Sequence, residues 1–349
     1  MRKNVKKQLA LRVLSTAALM AMVSSIATAA FADTYDLNTG SVTVETKDDG
    51  YTYVTQTDTK TGDFAQNSKD DTLDGYKDTD PKGVTITSGG EKTSNTITVE
   101  TAKDQTTNVT LDKVDIEVDT AKTKSGAIEI KGDGNTNLEL NGDNTVLVKN
   151  HWFEDEHAAI EKADKYGNGT LTIKDDVNDD GKLLAGGYKD TSAIGGGGTA
   201  DLCDTSNITI TGGEIKAIAG YDGGAGIGGG YGGTGKNICI KGNAHVTAVS
   251  SAGAAIGGGI GSGNSVTITG DAVVDAYSAF AAAIGNGDQV GRSNEPTTIT
   301  ISGNATVHAE TSEGSCAIGT SRDGSLSDLT INIEKNANVK QPSTLPAAL

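Results

Sequence analysis

The sequence predicts an all-β chain, a right-handed parallel β-helix with three short strands in each coil, and three observations carry that prediction. An Ala-Ile pair, Gly-Ile in the copy at Gly226-Ile227, recurs with its isoleucines at 128, 160, 194, 227, 256, 284 and 318, so the steps are 32, 34, 33, 29, 28 and 34 residues. A near-fixed step of this size marks a repeat architecture. Each pair is followed by two apolar segments that alternate with period two and are rich in β-branched residues, the pattern of half-buried strands. No amphipathic helical run of useful length follows residue 32.

In the first segment of each coil, Ala193-Ile194-Gly195-Gly196-Gly197, Ala255-Ile256-Gly257-Gly258-Gly259 and Ala283-Ile284-Gly285 put glycines directly after the isoleucine. There they allow positive φ and close approach between coils. Two upstream copies, Ala127-Ile128-Glu129 and Ala159-Ile160-Glu161, keep the pair and lose the glycine. The second segment reads Ile208-Thr209-Ile210-Thr211-Gly212, with matches at Ile238–Gly242, Val266–Gly270 and Ile299–Gly303. The third reads Ile215-Lys216-Ala217, Val246-Thr247-Ala248, Val274-Asp275-Ala276 and Val307-His308-Ala309, whose alanines suit the narrow places of the core. The corner between them carries Asp143, Asn243, Asp271, Asn304 and Asn336, residue types that tolerate left-handed backbone in a tight turn. The irregular steps imply loops of varying length, which favours a right-handed over a left-handed solenoid. One coil cannot bury its own apolar face, so stability must come from its neighbours.

In chain order, residues 1–32 have the form of a secretory signal peptide. Arg2, Lys3, Lys6, Lys7 and Arg12 precede an apolar stretch and an Ala30-Phe31-Ala32 cleavage pattern. Residues 33–82, polar and rich in Thr and Asp, read as an N-terminal cap; 83–340 hold the coils, and 341–349 form a tail. Removal of the five basic residues of the leader changes the formal charge from −17 to −22. So acidic a chain is unsuited to nucleic acid or anionic membrane, and no membrane insertion is expected after cleavage. Its three cysteines are an odd number for an exported protein. Free thiols are the favoured reading, with a Cys203–Cys239 pair across adjacent coils the alternative.

Two stretches stand out as candidate sites. His151-Trp152-Phe153, followed by Glu154-Asp155-Glu156-His157, sets an aromatic cluster beside carboxylates in a loop between early coils. It is suited to stacking on a sugar ring, or to covering apolar surface. Asp176-Val177-Asn178-Asp179-Asp180-Gly181 matches the first half of a calcium loop, with Asp176, Asn178 and Asp180 as the alternating oxygen ligands. The twelfth position is Gly187 where a bidentate Glu belongs, so calcium there needs oxygens from another coil. Outward Thr172, Thr209, Cys239, Thr267 and Thr300 form a hydroxyl-rich face, and Asp275 and His308 should touch across one coil step.

The repeated Ala-Ile-Gly-Gly-Gly followed by Ile-Thr-Ile-Thr-Gly resembles the glycine-rich repeat regions of secreted and surface proteins of Firmicutes, over about residues 120–345. That resemblance implies a pectate-lyase-like β-helix of the carbohydrate-binding or adhesive kind, and it carries over no catalytic residue. The expected function is therefore a secreted or cell-surface, non-catalytic module that meets a polysaccharide or glycan surface. A polysaccharide lyase or glycoside hydrolase is the first alternative, and a ligand-free stalk the second.

Overall fold

The computed structural model describes residues 34–57, 83–149, 156–260, 265–287, 296–312, 315–321 and 329–340. Its strands stack into three parallel sheets of ten, nine and ten strands, so the chain is a parallel β-solenoid. One coil shows the plan. Ile128–Lys131 lies in the first sheet, Asn135–Asn141 in the second and Asp143–Lys149 in the third. Each strand pairs in parallel with its equivalent one coil away: Ile160 with Ile194, Thr209 with Cys239, Ala217 with Ala248. The helical content among the described residues is one turn of α-helix, Thr120–Thr123, and one of 3-10 helix, Asp164–Tyr166.

Alternation along each strand separates core from surface. Ile128, Ile160, Ile194, Ile227, Ile256 and Ile284 form one buried row, and Ile208, Ile210, Ile238, Ile240 and Ile268 another. Ala185, Ala217, Ala248, Ala276 and Ala309 are fully buried in the third sheet, where the interior narrows. At the N-terminal end the interior is polar but satisfied. The hydroxyls of Thr46, Thr52, Thr101, Thr107 and Thr136 hydrogen-bond to one another in a continuous buried chain.

The stack begins before residue 83. Val42–Thr46 pairs in parallel with Ile97–Thr101, and Thr52–Gln56 then turns back antiparallel against Val42–Thr46. That reversed strand closes the edge of the first sheet, which is what a solenoid end requires.

Glycine solves two problems. Gly195, Gly228, Gly257, Gly285 and Gly319, each directly after the core isoleucine, take φ between 130° and 137°. A Cβ on Gly228 would fall 1.8 Å from the Gly257 carbonyl oxygen one coil on, so the coils meet backbone to backbone at this row. The second use corrects an expectation. At the corner between the second and third strands, the left-handed residue is the glycine itself, Gly142, Gly242, Gly270 or Gly303, with φ of 63° to 74°. The Asn or Asp that follows is free to hydrogen-bond along the stack instead, as Asn304 Nδ2 does to Asp271 Oδ1 at 2.9 Å.

On the outer face of the third sheet, Glu117 accepts from Lys92 Nζ and Lys149 Nζ, each at 2.6 Å. The two lysines, Lys149 foremost, hold its carboxyl down from 4.5 to about 2. A carboxylate whose folded value is depressed stabilises the fold above its unfolded value and loses that contribution as pH falls to the folded one. Glu117→Gln is therefore expected to lower stability most above pH 4.5, neutrality included, with the difference from wild type shrinking as pH falls toward about 2, measured as urea midpoints across that range.

Candidate functional site

Three arrangements outside the core offer chemistry, and the first is a ridge of aromatic rings. Tyr188 follows the strand Lys182–Gly186, Tyr221 follows Glu214–Ile218 and Phe280 follows Val273–Ser278, so all three occupy the corner where the third sheet passes into the next coil. Tyr188 and Tyr221 meet edge to face with centroids 5.7 Å apart. Tyr231 comes from the neighbouring loop, tied by its N–H to the Asp190 carbonyl at 2.8 Å. Gly223 fits beneath it: a Cβ there would meet Tyr231 and Ile260 side-chain carbons at 2.8 and 2.7 Å. Phe280 continues the line, its N–H on Ser251 O. Tyr221, Tyr231 and Phe280 are 56%, 40% and 45% exposed, high values for large apolar side chains. Polar groups flank the rings: Lys189 Nζ sits 3.1 Å from both Glu156 and Asp190. Burial pushes the Glu156 carboxyl up against the pull of Lys189.

The second is a shallow groove of about 320 Å³ on the outer face of the second sheet, lined by Thr170, Asn207, Thr209, Asn237, Cys239, Ser265 and Thr267. Asn207 and Asn237 are left-handed, with φ of 59° and 52°. Their amides run in series, Asn237 Nδ2 donating to Asn207 Oδ1 at 3.0 Å and Asn207 Nδ2 to Asn168 O at 2.8 Å. Burial raises the Cys239 thiol, against a nearby Lys241, which keeps it protonated and a poor nucleophile. No disulfide joins Cys203, Cys239 or Cys316, in line with the favoured reading of their thiols.

The third is buried. Glu129 and Glu161 occupy adjacent coils in register, at the row where later coils have glycine. They are 4% and 0% exposed, and the loop bearing His157 folds over them. His157 Nδ1 is 3.1 and 2.9 Å from the two Glu161 oxygens, and Ala158 N–H donates to Glu161 at 3.0 Å. Lys131 pairs with Glu129 at 2.8 Å and also lies over the Tyr166 ring. Burial, with Glu161 and Glu129 alongside, drives the Tyr166 phenol strongly upward, so it stays a hydrogen-bond donor. Among the described residues this is the one group of three or more His, Cys, Asp or Glu whose ligand atoms converge within 4.8 Å.

Beside this group, Lys162 is 1% exposed and donates to Gly167 O at 3.2 Å. Burial lowers its ammonium, partly offset by Asp164 and Asp133. A lysine depressed in this way costs stability while charged and regains it as pH rises toward its unfolded value. Lys162→Met is expected to raise stability at neutral pH by about 1 kcal/mol, read from urea unfolding, since an apolar replacement of a buried charge is often stabilising.

The residues singled out from sequence fall in different places. His151, Trp152 and Phe153 lie outside the described residues. Asp176, Asn178 and Asp180 share one loop but face three different partners: Lys174 Nζ at 3.0 Å, Asn141 Oδ1 at 2.6 Å and the Gly142 N–H at 3.3 Å. The loop is shaped from beneath by Glu139, which accepts the N–H groups of Asp176 and Val177, and by Asp175, which accepts that of Gly181. Asp275 and His308 do touch, at 3.6 Å, with Tyr277 and Glu310 beside them on the open face of the third sheet.

Sequence reading passed over the aromatic ridge because its rings come from separate repeats, and only coil register brings them together. The buried group did leave a signal, the two Ala-Ile-Glu copies that break the Ala-Ile-Gly pattern. Comparison with protein families, with characterised proteins and with solved structures finds no match.

Proposed function

We propose that the chain is a secreted or cell-surface, non-catalytic carbohydrate-binding module that holds a polysaccharide along the Tyr188–Tyr221–Tyr231–Phe280 ridge. The observation that carries this is the set of exposed aromatic rings at one corner of the stack, with Tyr221 and Phe280 two coil steps apart. Sugar rings present apolar C–H faces that stack on such side chains, while their hydroxyls seek flanking donors and acceptors. Lys189, Asp190 and Asp222 supply those beside the ridge, and the Thr and Asn groove of the second sheet offers a further polar face. The signal-like residues 1–32, the charge of −17 and the resemblance to glycine-rich surface repeats support an extracellular setting.

The test is retardation in native affinity gels cast with plant, host and bacterial polysaccharides, with Tyr221→Ala/Phe280→Ala beside the wild type. The double variant is expected to lose at least about tenfold in affinity, since a stacked aromatic contributes on the order of 1 kcal/mol or more. Unchanged retardation would remove the ridge from the account. Loss of binding with chelator would restore calcium at Asp176, Asn178 and Asp180 as a requirement.

The enzyme reading has one observation in its favour, the Asp275–His308 contact with Tyr277 and Glu310 alongside. Those groups stand on an open strand face, and cleavage products in the same mixtures would establish it over the binding module.

A further inference from the structure

The group around Glu161 brings two carboxylates and an imidazole together out of solvent. Glu129 and Glu161 bring two carboxylates into a place 4% and 0% exposed, and one lysine, Lys131, pairs with them. Buried charges are retained where they are paired or coordinate a metal.

His157 Nδ1 lies 3.1 and 2.9 Å from the two oxygens of Glu161, so imidazole and carboxylate face one small space. Ligand atoms on a first-row divalent metal, each bonded at roughly 2.1 Å, lie roughly 3 Å apart when adjacent and about 4.2 Å apart when opposite. The ligand atoms of Glu129, His157 and Glu161 all converge within 4.8 Å, close to that frame.

We propose that Glu129, His157 and Glu161 form a binding site for one first-row divalent metal ion, of the Zn²⁺ or Mn²⁺ class. One imidazole with two carboxylates suits these ions, whereas Ca²⁺ takes six to eight oxygens, which three side chains do not provide. The surroundings match what supports such ligands elsewhere: Lys131 on Glu129 and the Ala158 N–H on Glu161 fix the carboxylates from outside. Gly197 leaves the room, because a Cβ there would stand 3.0 Å from Glu161 Oε2. The site ties together two coils and the loop that carries Glu156, the partner of Lys189 beneath the aromatic ridge. It does not depend on the glycan reading.

The experiment uses the full, tag-free chain, loaded with Zn²⁺ or Co²⁺ and dialysed, with metal content, thermal unfolding and the Co²⁺ visible spectrum as readouts. About one equivalent of tightly held metal is expected, with a rise in Tm that chelator reverses. The spectrum should show nitrogen and oxygen ligation without the near-ultraviolet thiolate band that Cys203, Cys239 or Cys316 would give. Glu129→Gln keeps the side-chain volume and is expected to weaken Zn²⁺ binding at least about tenfold. No metal retained by the wild type would overturn the proposal. So would a thiolate band, or equal retention and an equal Tm shift in Glu129→Gln.

Discussion

Gly228→Ala is expected to unfold the middle of the solenoid or lower its stability by more than about 3 kcal/mol, the sum of backbone strain and a steric clash. Gly228 sits at φ +137, and its added Cβ would lie 1.8 Å from Gly257 O and 2.8 Å from Gly257 C. Neither atom is the end of a flexible side chain, so relief requires prising two coils apart and breaking the ladder that includes Ile227–Ile256. Gly319→Ala separates the two causes. It shares the conformation, φ +130, but its nearest contact is Leu329 Cδ2 at 3.3 Å. The strain alone should cost about 1–3 kcal/mol there. Urea midpoints of the two variants give the comparison, and equal losses would show that close coil approach is not what the glycine row serves.

Glu161→Ala is the second large effect, expected to cost about 3–5 kcal/mol in urea unfolding, the range for removing one member of a buried charged network. Glu161 is fully buried, accepts the Ala158 N–H and lies 2.9 Å from His157 Nδ1. Truncation strips both of their partner inside the stack. In a double-mutant cycle with His157→Ala, the second substitution should cost much less once the first is made, because the two act on one network. Strict additivity would mean the pair are independent and the loop is held by something else.

Much of the fold is legible in the sequence because a solenoid repeats its constraints. The Ile after Ala, the Thr-flanked Ile pair and the buried Ala each recur at the same coil position, so one repeat predicts the others and the parallel register follows. The glycine after Ile is legible for the same reason, as only Gly takes that φ at that separation. Corner chemistry is less so: Gly242-Asn243 and Gly270-Asp271 both favour turns, and sequence does not say which of the two residues goes left-handed.

The candidate sites are less legible because they depend on loops rather than on the repeat. Tyr188, Tyr221, Tyr231 and Phe280 are spread over nearly a hundred residues and become neighbours only through coil stacking. Asp176, Asn178 and Asp180, adjacent and evenly spaced, suggest convergence, yet their backbone fans them toward Lys174, Asn141 and Gly142. Glu129 and Glu161 are the intermediate case, visible as exceptions to a pattern but meaningful only once register sets them side by side.

The most direct test of the binding-module account is affinity of the purified chain for a panel of polysaccharides, with Tyr221→Ala/Phe280→Ala alongside and cleavage products assayed in the same tubes. The account predicts retardation by at least one polysaccharide, without cleavage and lost in the double variant. Cleavage, or retention that ignores the loss of both rings, would contradict it.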